Sequence, residues 1–380
     1  MHAVEYELLS KDTTVLHFCC KKTEYGELAF SILSWEAPEL APIGFFYQYQ
    51  QQDVQNSWLE SFLESRKAPK HREHIAEVLE RYGCADLKGF LDVSHAVSLN
   101  DTFWVRQAGS ALVWDNVSLY RNEFDQLVSL AAFDGTFSST ELSSSTPELG
   151  TDGQYAKCWS REGGEVYLYK RASPALGTEH LSEYLASKVA EKVCPGAVQY
   201  DLSLFHEKLA SKCALFTTEQ LGLAKAARIF RGQKKSIAEL LAYFESIGSG
   251  DAFRRMCVLD ALILNDDRHY GNFGVLFDTD TMQVLRMAPV FDLNRALLPA
   301  LDEDQLANPE WYIQRCQSKL GGDFTATAQT LMSASIRADM EALLEFRFLP
   351  HPCIPLPDER VRLLELLVRR RAEEILTGKS

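Results

Sequence analysis

The chain has 380 residues, of which 46% are hydrophobic and 24% charged, enough to bury the cores of two or three folding units. Its formal net charge of −14 argues against direct nucleic acid binding through a broad phosphate-binding surface. The sequence shows no apolar stretch of membrane-spanning length and no secretion signal in its first thirty residues, so we expect a cytoplasmic protein. The nine cysteines lack metal-type pairing and an even count, which predicts buried thiols in a reducing compartment.

The N-terminal third, residues 1–130, is predicted to be a smaller accessory module that contains both helices and strands. Short apolar runs at 14–18 and 28–33 predict two strands, and one-sided apolar spacing predicts a helix over 71–82. The segment 98–105 is open to three interpretations, which are partner recognition, autoinhibition and simple packing, and packing is favoured. Two basic runs, at 66–72 and 369–371, are expected to lie on solvated faces.

The best domain boundary is at 133–145, where Gly, Ser and Thr accumulate between apolar segments. Beyond it the pattern predicts one larger domain over 131–380. Its first part, up to about residue 221, is rich in predicted strands, and its second part, from about 222 to 380, is mainly helical. The fold class is therefore expected to be α+β.

A glycine turn at Gly150 and Gly153, which is a candidate for the loop that covers the phosphates of a nucleotide, opens this larger domain. A strand follows it, then a second turn at Gly163 and Gly164, then another strand that ends near Lys170. From that position the Lys170 ammonium could reach the phosphates of a bound nucleotide.

The stretch 179–193 is predicted to be a helix, on which Glu183 could pair with Lys170 and fix its position. Glu179 competes with Glu183 for this role, and Lys157 competes with Lys170. An isolated lysine at a strand end is usually solvated, and only the order of these residues in the chain supports the assignment.

Residues 214–219 are predicted to form a strand that enters a hinge. Backbone groups near Thr218 and Glu219 could contact adenine there, an assignment that rests on position alone.

A loop of chemically informative residues lies further along the chain. The spacing predicts a helix over 251–264, then the run from Asp267 to Asn272, then a hairpin around residues 278–281 that returns the chain to Asp292. An acid followed five residues later by Asn, with an isolated Asp about twenty residues beyond, is the spacing by which kinase-like folds assemble a catalytic base and a magnesium site.

Phosphoryl transfer explains why these residue types are needed. Asp267 would orient and deprotonate a hydroxyl, while Asn272 and Asp292 offer the hard oxygen ligands that Mg²⁺ prefers. Arg268 and His269 complete the set of candidate catalytic residues, and for His269 bracing of the loop is favoured over proton transfer. Any one of these polar residues taken alone is more often a turn or cap residue, but the spacing of the whole set indicates catalysis.

Three motifs of this domain carry a family resemblance. The motifs are Asp267-Arg268-His269-Tyr270-Gly271-Asn272, Ala288-Pro289-Val290-Phe291-Asp292 and Ser145-Thr146-Pro147-Glu148-Leu149-Gly150-Thr151-Asp152-Gly153. They resemble those of the HipA-like serine/threonine kinases, which include CtkA-like bacterial kinases. The resemblance covers roughly residues 130–350. It implies a two-lobed protein-kinase-like fold, ATP and Mg²⁺ as cofactors, and phosphorylation of Ser or Thr on a protein.

The resemblance also assigns roles to residues. It implies that Asp267 is the catalytic acid, that Asn272 and Asp292 are the metal ligands, and that Lys170 is the lysine that binds phosphate. It also allows a regulatory or antitoxin-like protein partner. Autophosphorylation in the loop before the first strands is possible within the family, and this chain has Ser143, Ser144, Ser145 and Thr146 there, although such runs are more often plain flexible loops.

Two alternatives remain open. The Asp-Arg-His form of the loop is also similar to that of phosphatidylinositol kinases, which leaves a lipid or small metabolite as the substrate. A binding protein on a kinase scaffold is the other alternative, and the intact set of Asp267, Asn272, Asp292 and Lys170 counts against it. Asp292 is followed by Leu-Asn rather than Phe-Gly, and no Ala-Pro-Glu follows, so the activation rules of eukaryotic protein kinases do not transfer.

Overall fold

The computed structural model describes residues 3–45, 51–137, 146–175 and 177–378. The chain divides into two compact units. Unit 1 comprises Met1–Lys170, Leu215–Ala224 and Leu276–Val284, and unit 2 comprises Arg171–Ala214, Lys225–Val275 and Leu285–Ser380. The fold is a mixed α and β fold, as the sequence predicts. The predicted domain limits near residues 131 and 221 stay a prediction.

Unit 1 begins with an antiparallel four-stranded sheet in the strand order β3-β2-β1-β4. Its strands are β1 (Val4–Ser10), β2 (Thr13–Lys22), β3 (Leu28–Trp35) and β4 (Phe103–Gln107). Tyr6 lies opposite Phe18 in the register, and both rings are buried and stacked, so one face of the sheet forms core. The strands predicted at 14–18 and 28–33 are confirmed, whereas β1 was missed.

Helices cover the rest of the N-terminal part of unit 1, namely α1 (Gln52–Glu64), α2 (Ile75–Arg81), α3 (Leu87–Ser94), α4 (Trp114–Val117) and α5 (Gln126–Asp134). Helix α2 begins four residues later than predicted, because His74 before it has the left-handed φ of 63°. Such a backbone conformation interrupts a right-handed helix.

The basic runs expected on solvated faces are buried in part, so that expectation is wrong. Arg66 is 3% exposed and forms two hydrogen bonds of 2.9 Å with the carboxylate of Asp101. Arg72 is also buried and donates to the backbone carbonyls of Glu148 and Thr151, and in the second run Arg371 is buried and paired with Glu374. Each of these buried guanidinium groups donates hydrogen bonds to carbonyl or carboxylate oxygens, as a buried charge requires.

The glycine turn and the two strands after it form as predicted. A single 3₁₀ turn (Pro147–Gly150) leads to β5 (Lys157–Glu162) and β6 (Glu165–Arg171), which pair antiparallel around Gly163 and Gly164. The segment 214–219, by contrast, is not the predicted strand. The preceding strand ends at Ala214, and Thr218 and Leu221 exchange backbone hydrogen bonds of 2.9 and 3.2 Å in a turn.

Unit 2 contains α6 (Glu179–Val193), with the predicted limits, and the hairpin of β7 (Tyr200–Phe205) and β8 (Lys208–Ala214). Its other helices are α7 (Ala226–Ile229), α8 (Ile237–Ser246), α9 (Gly250–Ile263), α10 (Glu303–Ala307), α11 (Glu310–Ile313), α12 (Phe324–Leu331), α13 (Ala334–Glu341) and α14 (Asp358–Thr377). Helix α9 matches the helix predicted over 251–264. It is buried along most of its length and packs against α6, α8, α12 and α14.

Three short strands, β9 (Leu221–Lys225), β10 (Gly274–Asp278) and β11 (Val284–Met287), complete the fold. The last two form the hairpin predicted between Asn272 and Asp292. Six of the nine cysteines are buried, as expected. Within the described ranges, no helix combines the length and the apolar character that crossing a membrane would require.

Candidate active site

The candidate catalytic loop starts where α9 ends. Leu264 adopts a left-handed φ of 53° and stops the helix, so the chain turns sharply into Asn265. The Asn265 amide donates to the carboxylate of Asp260 at 2.9 Å, and its oxygen accepts the backbone N–H of Asp267 at 3.3 Å. The position of Asp267 is therefore tied to a buried carboxylate one turn back in the helix.

Arg268 is the centre of this region. Its side chain is fully buried and forms a bidentate ion pair with Asp260, with distances of 2.9 Å from Nε and 3.0 Å from Nη2. The remaining nitrogen, Nη1, donates to the backbone carbonyls of Asn272 at 2.6 Å and of Phe291 at 2.8 Å. One guanidinium thus fastens together the two chain segments that carry the predicted metal ligands.

Neighbouring acidic groups favour the positively charged form of Arg268. Burial acts to lower the pKa of Arg268, but the Coulomb attraction and hydrogen bonds of Asp260, with a further contribution from Asp292, raise it above its ordinary value. A bidentate arginine and carboxylate pair also fixes orientation, because the planar fork of donors matches the two oxygens. Arg268 therefore holds the site together and, being buried, cannot contact a substrate.

His269 lies at the exposed surface of the loop, where its Nδ1 accepts the backbone N–H of Gly271 at 2.9 Å. A side-chain carbon at Gly271 would lie 2.7 Å from the imidazole ring, which is closer than real contacts of this kind. The glycine is therefore required for this close approach. The geometry supports the bracing role favoured for His269 from the sequence.

Asn272 lies at the end of the loop and is 6% exposed. Its side-chain amide donates to the backbone carbonyl of Asp267 at 3.0 Å, so the amide oxygen points away from that bond and is the atom suited to coordinate a cation. Amide and carboxylate oxygens are the hard ligands that Mg²⁺ takes together with phosphate oxygens and water. Asn272 and Asp292 thus fit a magnesium ion chemically. No cluster of three or more His, Cys, Asp or Glu side chains suited to a metal occurs in the described part of the chain.

Asp292 has a left-handed φ of 59°, a conformation that Asp and Asn tolerate better than most residues. Its backbone N–H donates to the hydroxyl of Tyr200 at 3.1 Å, and the next N–H, that of Leu293, donates to Glu183 at 3.4 Å. Hydrogen bonds from two different elements therefore maintain the unusual backbone at Asp292.

Glu183 is fully buried on α6, not on a solvated face. One carboxylate oxygen accepts from Leu293 and the other from the hydroxyl of Ser211 at 2.6 Å. Its competitor Glu179 is also buried, and its carboxylate accepts the backbone N–H and the hydroxyl of Ser173. Glu179 thus closes the loop before its own helix, whereas Glu183 contacts the segment that carries Asp292. Lys170 belongs to unit 1, and its pairing with Glu183 stays a prediction.

Two acidic residues of the loop contact basic residues that come later in the chain. Asp266 lies 3.5 Å from the guanidinium of Arg295, and the Asp267 carboxylate contacts the Lys319 ammonium. Both pairs are partly exposed. Asp267 thus keeps contact with solvent while its backbone is fixed.

In unit 1, Lys157 and Lys170 lie opposite each other across the hairpin, and they are only 5% and 6% exposed. The usual expectation that a strand-end lysine is solvated therefore fails here. Gly153 has a φ of 104°, and a side-chain carbon there would lie 2.1 Å from the Lys157 ammonium nitrogen. The absence of a side chain at Gly153 is what lets Lys157 approach the turn. At Gly150, a side-chain carbon would lie 2.8 Å from the carbonyl of Arg66, so this glycine is required for packing.

The predicted adenine contacts at Thr218 and Glu219 lie in the turn after residue 214. The backbone groups of Thr218 bond with Leu221, and the carbonyl of Glu219 accepts the hydroxyl of Thr279. The Glu219 carboxylate accepts from the indole of Trp114 at 2.6 Å and pairs with Arg121 at 2.8 Å. These bonds stabilise unit 1, and a role in binding adenine stays a prediction.

Sequence reasoning missed Asp260 and Lys319. One feature of the sequence points to Asp260. It is a charged residue among the apolar positions at the C-terminal end of a buried helix, where an unpaired charge is costly. Lys319 lies 52 positions after Asp267, and nothing in the local sequence links the two.

Of the proposed autophosphorylation residues, Ser143, Ser144 and Ser145 lie outside the described residues. Thr146 is 1% exposed and donates to the Glu148 carboxylate.

No protein family model and no curated protein matches the sequence. Among solved structures, the chain is similar to the Shewanella oneidensis MR-1 toxin–antitoxin protein HipA, solved with HipB and its operator DNA. That similarity has a TM-score of 0.55 at 11% identity and covers 97% of each chain. The chain is also similar to the Helicobacter pylori proinflammatory kinase CtkA, with a TM-score of 0.43 at 18% identity over 59% of this chain and 94% of that one. The resemblance that the motifs predict is therefore confirmed at the level of the fold, and the chain has a HipA-like fold.

Proposed function

We propose that this protein is an ATP-dependent and Mg²⁺-dependent kinase that transfers phosphate to Ser or Thr hydroxyls of a protein. The observation that carries the proposal is the bridge made by Arg268, whose Nη1 holds the carbonyls of Asn272 and Phe291 while its other nitrogens hold Asp260. This arrangement supports a site in which the base and both metal ligands keep fixed positions. Fixed positions are what phosphoryl transfer requires of a protein.

In the proposed reaction Asp267 accepts the proton of the attacking hydroxyl. The hydroxyl oxygen forms a bond to the γ-phosphorus of ATP, the bond from that phosphorus to the β–γ bridging oxygen breaks, and ADP leaves with the bonding electrons. Asn272 and Asp292 would hold Mg²⁺, which supplies positive charge next to the phosphate oxygens. Lys170 would contact the phosphates of the bound nucleotide.

The choice of a protein as substrate rests on the motifs shared with HipA-like kinases and on the fold. HipA was solved with HipB and DNA, and we extend the proposal to a regulatory protein partner for this chain. The net charge of −14 supports contact with such a partner rather than with nucleic acid directly.

The proposal is tested by incubating the protein and its Asp292→Asn variant with Mg²⁺, γ-labelled ATP and cell lysate, followed by separation of proteins from small molecules. Label on a protein, as phosphoserine or phosphothreonine and only with the unchanged chain, is the expected result. Label in the lipid or small-molecule fraction would replace the protein substrate by one of those classes. No transfer together with no calorimetric binding of Mg²⁺-ATP would contradict the kinase proposal altogether.

A further inference from the structure

The ammonium of Lys319 contacts the carboxylate of Asp267, the proposed base. Both residues belong to unit 2, and their side chains are 52% and 26% exposed. An ion pair with this exposure contributes little to stability, since water competes for both charges. The contact is therefore easily exchanged for another one, and it does not lock the site.

The backbone at Lys319 is more strongly fixed than its side chain. The hydroxyl of Ser318 accepts the N–H of Leu320 at 3.2 Å, and the carbonyl of Ser318 accepts the N–H of Gly321 at 2.9 Å. Gly321 and Gly322 both have positive φ, and Asp323 then caps α12, which packs against α9. The tight turn thus places a long, half-exposed cation at the base, on a backbone anchored to the helix from which the catalytic loop starts.

Three other basic side chains in or beside this loop are already engaged in contacts of their own. Arg268 is fully buried with its donors directed at Asp260 and two carbonyls, and Arg295 lies beside Asp266. The Nδ1 of His269 accepts from Gly271. Lys319, by contrast, is half-exposed and contacts Asp267 itself. Negative charge develops on the transferred phosphoryl oxygens next to the base, and a cation there lowers the barrier to transfer.

We propose, on the basis of the kinase function proposed above, that Lys319 is a catalytic residue that moves from Asp267 to the γ-phosphate of ATP when nucleotide binds. The incoming hydroxyl then donates a hydrogen bond to the Asp267 carboxylate, which Lys319 no longer contacts. During transfer the hydroxyl proton goes to Asp267, the new oxygen–phosphorus bond forms and the bond to ADP breaks. Lys319 gives up no proton, and its positive charge stabilises the transferred oxygens.

The test compares the full chain with its Lys319→Met, Lys319→Arg and Lys188→Met variants. Lys188 is a suitable control because it is a partly exposed lysine of unit 2 that is ion-paired with Glu191 on α6. We expect Lys319→Met to lower kcat by about 100-fold, the effect of removing one donor to a developing charge. Lys319→Arg should recover part of the loss, and Lys188→Met should behave as the unchanged protein.

Calorimetry gives a result that does not depend on turnover. Lys319→Met should bind Mg²⁺-ATP more weakly and Mg²⁺-ADP unchanged, because only ATP has the γ-phosphate. A kcat within about threefold of the unchanged protein, a kcat that rises, or an equal loss of affinity for both nucleotides would each overturn the inference. If the unchanged protein neither binds nor turns over Mg²⁺-ATP, the kinase proposal itself fails and the inference falls with it.

Discussion

Arg268 and Asp260 form a bidentate ion pair in which both side chains are buried, 0% and 3% exposed, between the end of α9 and the catalytic loop. Moving two charges out of water costs free energy, and the attraction between them offsets that cost only when the geometry of the pair is good. Here the geometry also gives Arg268 the two carbonyl contacts that join the loop to the segment before Asp292. We interpret the pair as the structural support of the site.

The first prediction concerns the loss of this pair. Arg268→Ala leaves the Asp260 carboxylate buried without its counter-charge and should lower the free energy of unfolding by about 3–5 kcal/mol. Arg254→Ala is the control, since Arg254 forms a surface ion pair with Glu245 that should contribute at most about 1 kcal/mol. Urea denaturation of both variants measures the difference. Equal stability of the two would contradict the structural role of Arg268.

A second prediction concerns the left-handed backbone at Asp292. Asp292→Asn and Asp292→Gly both remove the carboxylate but tolerate a φ of 59°, so both should fold with nearly unchanged stability and lose Mg²⁺-dependent ATP turnover. Asp292→Val places a branched side chain in that conformation and should cost at least about 1–2 kcal/mol more. Thermal unfolding and ATP turnover measured on all three variants separate the two effects. Full turnover in the Asn variant would show that the Asp292 carboxylate is not needed to hold Mg²⁺.

A third prediction uses two glycines of unit 1. Gly153→Ala would place a carbon 2.1 Å from the Lys157 nitrogen, whereas Gly164→Ala meets nothing within 4 Å at a similar φ of 91°. Both variants carry the strain of a left-handed alanine, about 1 kcal/mol. Only Gly153→Ala should also displace Lys157, which lies opposite the proposed phosphate-binding Lys170 in the strand register. The affinity of this variant for Mg²⁺-ATP should therefore fall further than that of Gly164→Ala. Equal affinities by calorimetry would show that the turn does not act on nucleotide.

The regular elements around the site could be predicted from the sequence because each one carries a local signal. The apolar spacing of α9, the limits of α6 and the turn residues between β10 and β11 are properties of a few neighbouring residues. The same holds for the spacing from Asp267 to Asn272. Strand β1 was missed because its inward residues Tyr6 and Leu8 alternate with glutamates over too few positions to be distinguished from a loop.

Other features depend on contacts between residues far apart in the chain, and no local pattern reveals them. Arg66 looks like part of a solvated basic run until Asp101, 35 residues later, is seen to pair with it. Lys319 is an ordinary surface lysine in the sequence. The strand predicted at 214–219 failed because the chain leaves β8 at Ala214 and turns at Thr218, where tertiary hydrogen bonds override the β propensity of Leu215 and Phe216.

A fourth prediction follows from a half-buried histidine of unit 1, His95. Burial lowers the pKa of His95, against smaller opposing effects of the Val105 carbonyl and Asp92. At a pH above its unfolded pKa of about 6.5 both states are neutral. Below it the unfolded chain binds a proton that the folded chain resists, so stability falls as the pH drops from 6.5 towards the folded pKa.

His95→Asn should therefore reduce the loss of stability between pH 6.5 and pH 5. Asn is the suitable replacement because His95 ends α3 with a left-handed φ of 53°. Urea denaturation at several pH values, with the exposed His71→Asn as the control, measures the slope. An unchanged slope in His95→Asn would contradict the effect of burial.

We propose Asp267 as the base of a phosphotransferase. Transfer of labelled γ-phosphate from Mg²⁺-ATP should be measured for the full chain, for Asp267→Asn and for Asp266→Asn. The neighbouring Asp266 is paired with Arg295 and serves as the matched control. We expect Asp267→Asn to lower transfer by about 100-fold or more while folding and binding ATP normally, and we expect Asp266→Asn to keep most of the activity. Equal transfer by the Asp267→Asn variant and the unchanged chain would contradict this proposal.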